Sequence, residues 1–296
     1  MLAAIRARLA AALAPPRGRY RPFRVERAAA GWLDDRRAAR LAAFDDVFAL
    51  RDDEIAFSRR LDTATARTAA LDGVTRALAA DGLLTAWRDE RYAVAPAFGA
   101  PPWFELERAA ARYFGIHTYA AHVNGLVRRE GEIAMWIARR SPTKSIDPDR
   151  LDNLVAGGIA AGQSVPATVV KEAWEEAGIS AAVAAHAQGA GTVRICREQP
   201  DGLQRETIFV HDLWLPADFV PAGQDGEVAG HRLAPLVDVG PLVAKADGPD
   251  VVTADAALVM LDCLLRHGAI APDAPDYVAL AALRQPPDPF APAAEP

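Results

Sequence analysis

The chain is expected to be an α/β protein, a layered domain with a mixed sheet and helices packed on it, preceded by a smaller α+β unit. Three stretches predict this. HTYAAHVNGLVRR from His117 and EIAMWIARRS from Glu132 alternate like strands and meet at a Glu130-Gly131 turn. GGIAAGQSVPATVVKEAWEEAGI, residues 157–179, carries a short helix behind a glycine pair and ends it at Gly178. TADAALVMLDCLLRHG near the end spaces Leu258, Leu261 and Leu265 as the apolar side of a helix.

Taken in order, MLAAIRARLAAALAPPRGR predicts an amphipathic helix stopped by Pro15-Pro16. Its Ala and Arg content and lack of acids resemble an organellar targeting peptide, but it has no serine. RPFRVERAAAGWL predicts a strand, RRAARLAAF a helix and DDVFALRDDEIAF a short strand. Thr63 to Ala80 follows as a helix with Leu71, Val74 and Leu78 on one side, ended by Asp81-Gly82. Residues 83–98 look strand-like, and 103–116 fit a helix only loosely through Phe104, Leu106, Ala110 and Phe114. A domain boundary is expected near Gly115, giving an N-terminal α+β domain over 1–115 with a possible role in substrate recognition. The larger, second domain is expected over 116–285. Residues 141–155 read as a loop, 181–199 and 203–216 as two strands about a Pro200-Asp201-Gly202 turn, and 217–236 as a second loop. The end, 286–296, has the composition of a disordered tail.

With 296 residues and about half of them apolar, the chain can bury a sizeable core, and no apolar run approaches the roughly 20 residues that cross a bilayer. The net charge of −6 argues against nucleic-acid or membrane-surface partners, which need basic patches. Cys196 and Cys263 form neither a CxxC pair nor a disulfide framework, so a reducing compartment, the cytoplasm, is the expected location.

Chemistry concentrates in the 157–179 stretch. A helix puts residues three and four apart on one face, so Glu172, Glu175 and Glu176 crowd together and repel. A cation is expected among them. Oxygen ligands at this density suit Mg²⁺ or Mn²⁺, which keep several waters and take substrate phosphates as further ligands.

The spacing resembles the Nudix signature: a glycine, five residues, a glutamate, seven residues, then Arg-Glu-aliphatic-any-Glu-Glu-any-Gly-aliphatic. Gly157 falls on the first glycine, Gln163 on the first glutamate and Lys171 on the arginine. Glu172, Glu175, Glu176, Gly178 and Ile179 fall on their counterparts. Gln163 has no charge, and Lys171 lacks the two-pronged fork of arginine. Beyond the box, HVNGLV at 122–127, WIARRSPTK at 136–144, LDNLVAGGIAAG at 151–162, DLWLP at 212–216 and DGEV at 225–228 are similar to one Nudix subgroup. That subgroup is related to the N-terminal part of fungal thiamin pyrophosphokinase and to plastid Nudix enzymes, and the likeness spans roughly residues 20–285. It implies an α/β/α sandwich and metal-dependent pyrophosphohydrolysis of thiamin diphosphate analogues, particularly oxidised forms.

On this reading Glu172, Glu175 and Glu176 hold the metal with a carbonyl of Gly157 or Gly158, and the general base is Glu172, Glu176 or, from a later loop, Glu227. Arg139, Arg140 and Lys144 are candidates to meet the diphosphate, although neighbouring arginines on a strand point to opposite faces. His122 and Asn124 share a strand face and are candidates to approach the site, with a buried, hydrogen-bonded histidine as the favoured reading. Trp32, Trp87 and Trp103 are candidates to stack on a substrate ring, or to fill a core. The substrate is expected to be a small diphosphate and the protein a monomer or homodimer. Rival readings are hydrolysis of ADP-ribose or another nucleoside diphosphate derivative, a non-catalytic phospho-ligand module, and an isomerase on the same fold.

Overall fold

In the computed structural model, which describes residues 1–51 and 53–291, the first helix α1 (Leu2–Ala12) carries Ile5 and Leu9 one turn apart, followed by Leu13. All three are buried, and they pack among Val239, Val243, Ala256 and Met260 of the far C-terminal part. The helix therefore belongs to the core of the second unit, although 1–115 was expected to be one domain.

The segment expected as one strand is a hairpin, β1 (Tyr20–Val25) and β2 (Ala28–Asp34), turned at Glu26, whose φ is 55°. Helix α2 (Asp35–Arg40) begins on Asp34, whose side chain accepts from the Arg37 N–H. β3 (Phe48–Leu50) and β4 (Ile55–Phe57) complete a four-stranded sheet in the order β2-β1-β4-β3. Helix α3 (Ala64–Ala80) starts at the Thr63 cap and buries Leu71, Val74 and Leu78, as its spacing predicts.

Residues 83–98 contain a single short strand, β5 (Arg91–Val94), paired with β6 (Phe104–Glu107). The loosely helical 103–116 is thus strand first, then a 3₁₀ turn and helix α4 (Ala111–Phe114). Phe104 and Leu106 both face the first core because alternation, not helical spacing, sets their direction.

The second unit is built on β7 (His117–Arg129), with β8 (Glu132–Arg140) as its hairpin partner, β9 (Leu151–Asn153) on β8 and β10 (Val155–Gly158) on β7. β7 and β8 pair only at their turn-proximal ends and splay beyond Gly125 and Trp136, and β9 and β10 occupy the split. Helix α5 (Val165–Ala177) follows, capped by the Ser164 hydroxyl and ended by Gly178 at φ 65°. There Gly178 N–H donates to the Trp174 carbonyl and Ile179 N–H to the Ala173 carbonyl. After α6 (Ala181–Ala184) come β11 (Gln188–Gln199) and β12 (Gly202–Trp214), the latter parallel to β7. The expected second loop instead holds β13 (Val228–Pro235), and after it come α7 (Leu236–Ala244), α8 (Ala254–Arg266) and α9 (Tyr277–Ala282). β13 escaped the sequence because it is an edge strand, half-exposed along most of its length.

The large sheet, ordered β11-β12-β7-β8-β13, is mixed, and helices cover both faces. One face buries an aliphatic layer with α1, α7, α8 and α9, and the other a smaller layer with α5 and α6. Of the expected tail, Arg205 pairs with Asp288 and Phe290 stacks on Trp32 with ring centroids 4.5 Å apart. Aromatic stacking and an ion pair hold this part in place, and residues 292–296 lie outside the described residues.

Candidate active site

A cavity of about 370 Å³ lies where α5, the split strands and the first unit meet. One wall is the acidic helix. Both glycines of the pair are required by close approach: a Cβ on Gly157 would stand 2.3 Å from Glu172 Cγ, and one on Gly158 would stand 2.2 Å from the Tyr92 hydroxyl. The pair thus admits a carboxylate from one side and the first unit from the other.

Glu176 is buried, accepts from the Ala156 N–H at 2.7 Å, and lies 3.3 Å from Lys144 Nζ. Burial pushes its carboxyl up to about 8. Burial also raises Glu172, which lines the cavity. Lys171 Nζ bridges Glu172 Oε1 at 3.0 Å and Glu175 Oε2 at 2.9 Å. Two desolvated carboxylates and a third beside them are therefore answered by two lysine ammoniums, point charges on flexible stems. This donor set, all oxygen and short of positive charge, fits a divalent cation.

A second group of possible ligands, Asp212, Cys263 and His267, does not. Asp212 already accepts from Arg266 at 2.5 and 2.9 Å, from Asn124 at 3.0 Å, and lies 2.7 Å from His267 Nε2, leaving its oxygens no free direction.

Glu227, expected as a possible base, sits between Arg88 Nη1 at 2.8 Å and Lys144 Nζ at 2.7 Å. Burial would raise its carboxyl, but these two hydrogen-bonded cations overcome that and hold it down at about 2. It is a poor proton acceptor in this arrangement. Lys144 is buried, bridges Glu227 to Glu176, and lines the cavity. Arg140 also lines the cavity, anchored on Asp152 Oδ2 at 2.7 Å.

Arg139 does not line it. Alternation along β8 turns its guanidinium to Asp250 and to the Asp149 carbonyl, so the expectation that it meets the diphosphate is corrected. The tryptophans are corrected too. Trp32 is stacked on Phe290, Trp103 packs on the first core, and Trp87 donates to Asp89 at 2.7 Å with Arg76 over its ring. None of the three lines this cavity, although Trp87 lines a neighbouring one of about 330 Å³ with Arg88, Lys144 and Glu227. His122 is buried and hydrogen-bonded to Asn153, yet it also lines the cavity, whereas Asn124 is buried away from it and accepts from Asn153.

Several lining residues were not singled out from the sequence. Arg88, Tyr92, Arg108 and Arg112 come from the first unit, and Gln204, Glu206 and Asp255 form the far end. Arg108, hydrogen-bonded to Glu90 at 2.6 Å and lying over the Tyr92 ring, brings a cation toward the acidic helix. The only sequence trace of Glu206 is an acid in the middle of an otherwise strand-forming run, LQRETIFV.

A mixed sheet between helical layers, with a glycine-led acidic helix opening on a cavity, defines an α/β/α sandwich whose carboxylates suit a divalent cation. Residues 117–255 match the NUDIX domain model, and residues 7–118 match DUF4743, a domain of unknown function. The chain is 40% identical over 265 residues to Nudix hydrolase 24, chloroplastic, of Arabidopsis thaliana, covering 89% of this chain and 72% of that protein. It is 39% identical over 272 residues to Nudix hydrolase 20, chloroplastic, of the same plant, again covering 89% and 72%. The MutT protein of Methanosarcina mazei Go1 is similar in structure, with a TM-score of 0.36, 20% identity, and coverage of 49% of this chain and 90% of that one. The chain belongs to the Nudix hydrolase family.

Proposed function

We propose that this Nudix hydrolase is a Mg²⁺- or Mn²⁺-dependent pyrophosphohydrolase that splits thiamin diphosphate analogues, above all oxidised or damaged forms, into the monophosphate and inorganic phosphate. The observation that carries this reading is a cavity whose acidic helix and glycine pair face a wall of basic and aromatic side chains from the first unit. The substrate assignment is supported by the similarity of residues 20–285 to the subgroup related to fungal thiamin pyrophosphokinase. The first unit then has a role in substrate recognition, because Tyr92, Arg108 and Arg112 complete the cavity.

Glu172, Glu175 and Glu176, with a carbonyl of Gly157, would hold the ion, which when bound lowers the pKa of water and offsets charge on the departing phosphate. Lys144 and Arg140 steady the diphosphate. Glu172, which faces the cavity, takes the proton as the water oxygen bonds to phosphorus and the bridging P–O bond breaks, its electron pair leaving with the phosphate. Glu176, buried and engaged by the Ala156 N–H, would serve as a ligand rather than a base, and Glu227 orients Lys144 and Arg88. The reading takes the protein to be cytoplasmic, a monomer or homodimer, with a small-molecule partner and neither nucleic acid nor membrane.

The test is release of the monophosphate ester, thiamin monophosphate or its oxidised analogue, or AMP, resolved by chromatography, when the purified chain is given thiamin diphosphate, its oxidised analogues and ADP-ribose, with Mg²⁺ and with a chelator. Metal-dependent release is expected, fastest from an oxidised thiamin compound. Preference for ADP-ribose retires the thiamin assignment, and the absence of release from every diphosphate retires the hydrolysis.

A further inference from the structure

The first unit sends one guanidinium, that of Arg88, across to the second, and the chemistry proposed above gives it no contact with substrate. Arg88 and Trp87 sit between Ala86 and Asp89, two non-glycine residues in the left-handed region at φ 63° and 54°. Such a turn persists only where its surroundings fix it, and this one is fixed three times. Trp87 Nε1 donates to Asp89 at 2.7 Å, Arg76 lies over the Trp87 ring, and the backbone N–H of Arg88 donates to Glu107 Oε1 at 3.2 Å. The turn presents Arg88 Nη1 to Glu227 Oε1 at 2.8 Å, and Lys144 Nζ meets the other oxygen, Oε2, at 2.7 Å. Asp225 steadies Glu227 in turn by accepting its backbone N–H at 2.9 Å.

Arg88, Lys144 and Glu227 line the main cavity and also the neighbouring one of about 330 Å³, so their two ion pairs form a partition between the two spaces. Both cations keep donors in hand. Glu227 uses one Arg88 nitrogen, and among the described residues Nε and Nη2, the two prongs of its fork, meet no acceptor. Lys144 has three N–H donors and two carboxylate partners. The partition also lies at a definite end of the site. Along β10 the Ala156 N–H holds Glu176, the partner of Lys144, while Gly157 approaches Glu172 and Gly158 approaches Tyr92. With the organic head against Tyr92 and the first-unit wall, the phosphate nearest Lys144 is the one farther from the head.

We propose that Arg88 and Lys144, spaced by Glu227, grip the terminal phosphate of the substrate and confine the site to diphosphates that carry a single organic group. A free terminal phosphate offers three outer oxygens and up to two negative charges; a second ester leaves it two such oxygens and one charge. The Arg88 fork takes two of the three oxygens and the Lys144 ammonium takes the third. An ester carbon in place of that third oxygen would meet the partition, and to extend further it would have to break one of the two pairs to Glu227. Arg88 is a substrate-binding residue. Glu227 is a positioning residue that acts through both cations and touches no reacting atom.

The inference rests on the diphosphate hydrolase reading, and the test separates the two. Steady-state kcat/KM is measured with Mg²⁺, as release of the same monophosphate, for pairs that differ only at the terminal phosphate: thiamin diphosphate with its terminal methyl ester, and ADP with ADP-ribose. In whichever pair turns over faster, the wild-type chain is expected to prefer the singly substituted member by about tenfold or more, the worth of a hydrogen bond to a charged group. Arg88→Ala is expected to lower kcat/KM for that member far more than for its esterified partner, chiefly through KM, so that the ratio falls toward one. Arg88→Lys, which keeps the charge without the fork, is expected to recover part of the ratio, and Glu227→Gln, which frees both cations to move, to lose most of it. Equal rates for the two members in wild type, or a ratio unchanged in Arg88→Ala or in Glu227→Gln, overturns the proposal. If wild type splits no compound, the hydrolase reading fails; recognition is then read by calorimetry with the same compounds, and equal affinity for the two members of each pair overturns it.

Discussion

Two clusters of buried acids in this molecule are answered by different cations. At the acidic helix, Glu172, Glu175 and Glu176 meet Lys171 and Lys144. At the far side of the sheet, Asp212 and Asp262 meet Arg266, Arg284 and His267. Arginine forks fix planar carboxylates in pairs of parallel hydrogen bonds, whereas a lysine ammonium can be displaced by another cation without leaving a rigid gap. The electrostatics follow the partners. Burial opposes Asp212, yet hydrogen bonds from Arg266, His267 and Asn124 hold it below the usual carboxylate range, while Glu176 is left raised. The first cluster is built to exchange its cations and the second to keep them.

The largest effect that tests this contrast is expected from Glu176→Gln. The amide oxygen can still accept from the Ala156 N–H, so the fold is retained while kcat falls about 10²- to 10³-fold in the monophosphate-release assay. A variant with full turnover would remove Glu176 from the ligands. Asp212→Ala is expected to do the converse. Stranding Arg266 and Asn124 in a largely buried site costs about 3 kcal/mol in denaturant unfolding, with turnover per folded molecule unchanged. A stable Asp212→Ala chain would show that the second cluster is no more structural than the first.

A pH titration sharpens the comparison by showing what lies outside both clusters. Burial, then the Arg205 charge, pulls the His117 imidazole down to about 4. Its folded pKa lies below the unfolded value of about 6.5, so the unfolded chain binds the extra proton first and stability falls as pH drops from about 6.5 to about 4. Unfolding free energy measured across that range is expected to decline in wild type and to flatten in His117→Gln. The smallest effect belongs to the two neighbouring arginines. Arg140→Ala is expected to raise KM several-fold, and Arg139→Ala, which faces Asp250, to leave KM within about twofold.

How much of this was legible beforehand depends on the range of the interaction. The acidic helix and its end at Gly178 could be read because a glycine stop and carboxylates at helical spacing are local facts, while its Ser164 cap came from the structure. The opposite sides of Arg139 and Arg140 follow from strand alternation alone. β13 was missed because an exposed edge strand has no apolar face to betray it, and Glu227 looked like a free loop acid because its two partners lie at positions 88 and 144.

By itself, then, the sequence determined the α/β class, the box register, the all-oxygen donor set and the family resemblance, since each depends on residues within a few turns or on a pattern read along the chain. Only the tertiary structure decided that α1 seals the second core, that the first unit walls the cavity with Tyr92 and Arg108, and that Glu206 lines the same cavity as the box. Those facts come from contacts between segments scores of residues apart, and no local spacing encodes which distant side chain will answer a buried charge.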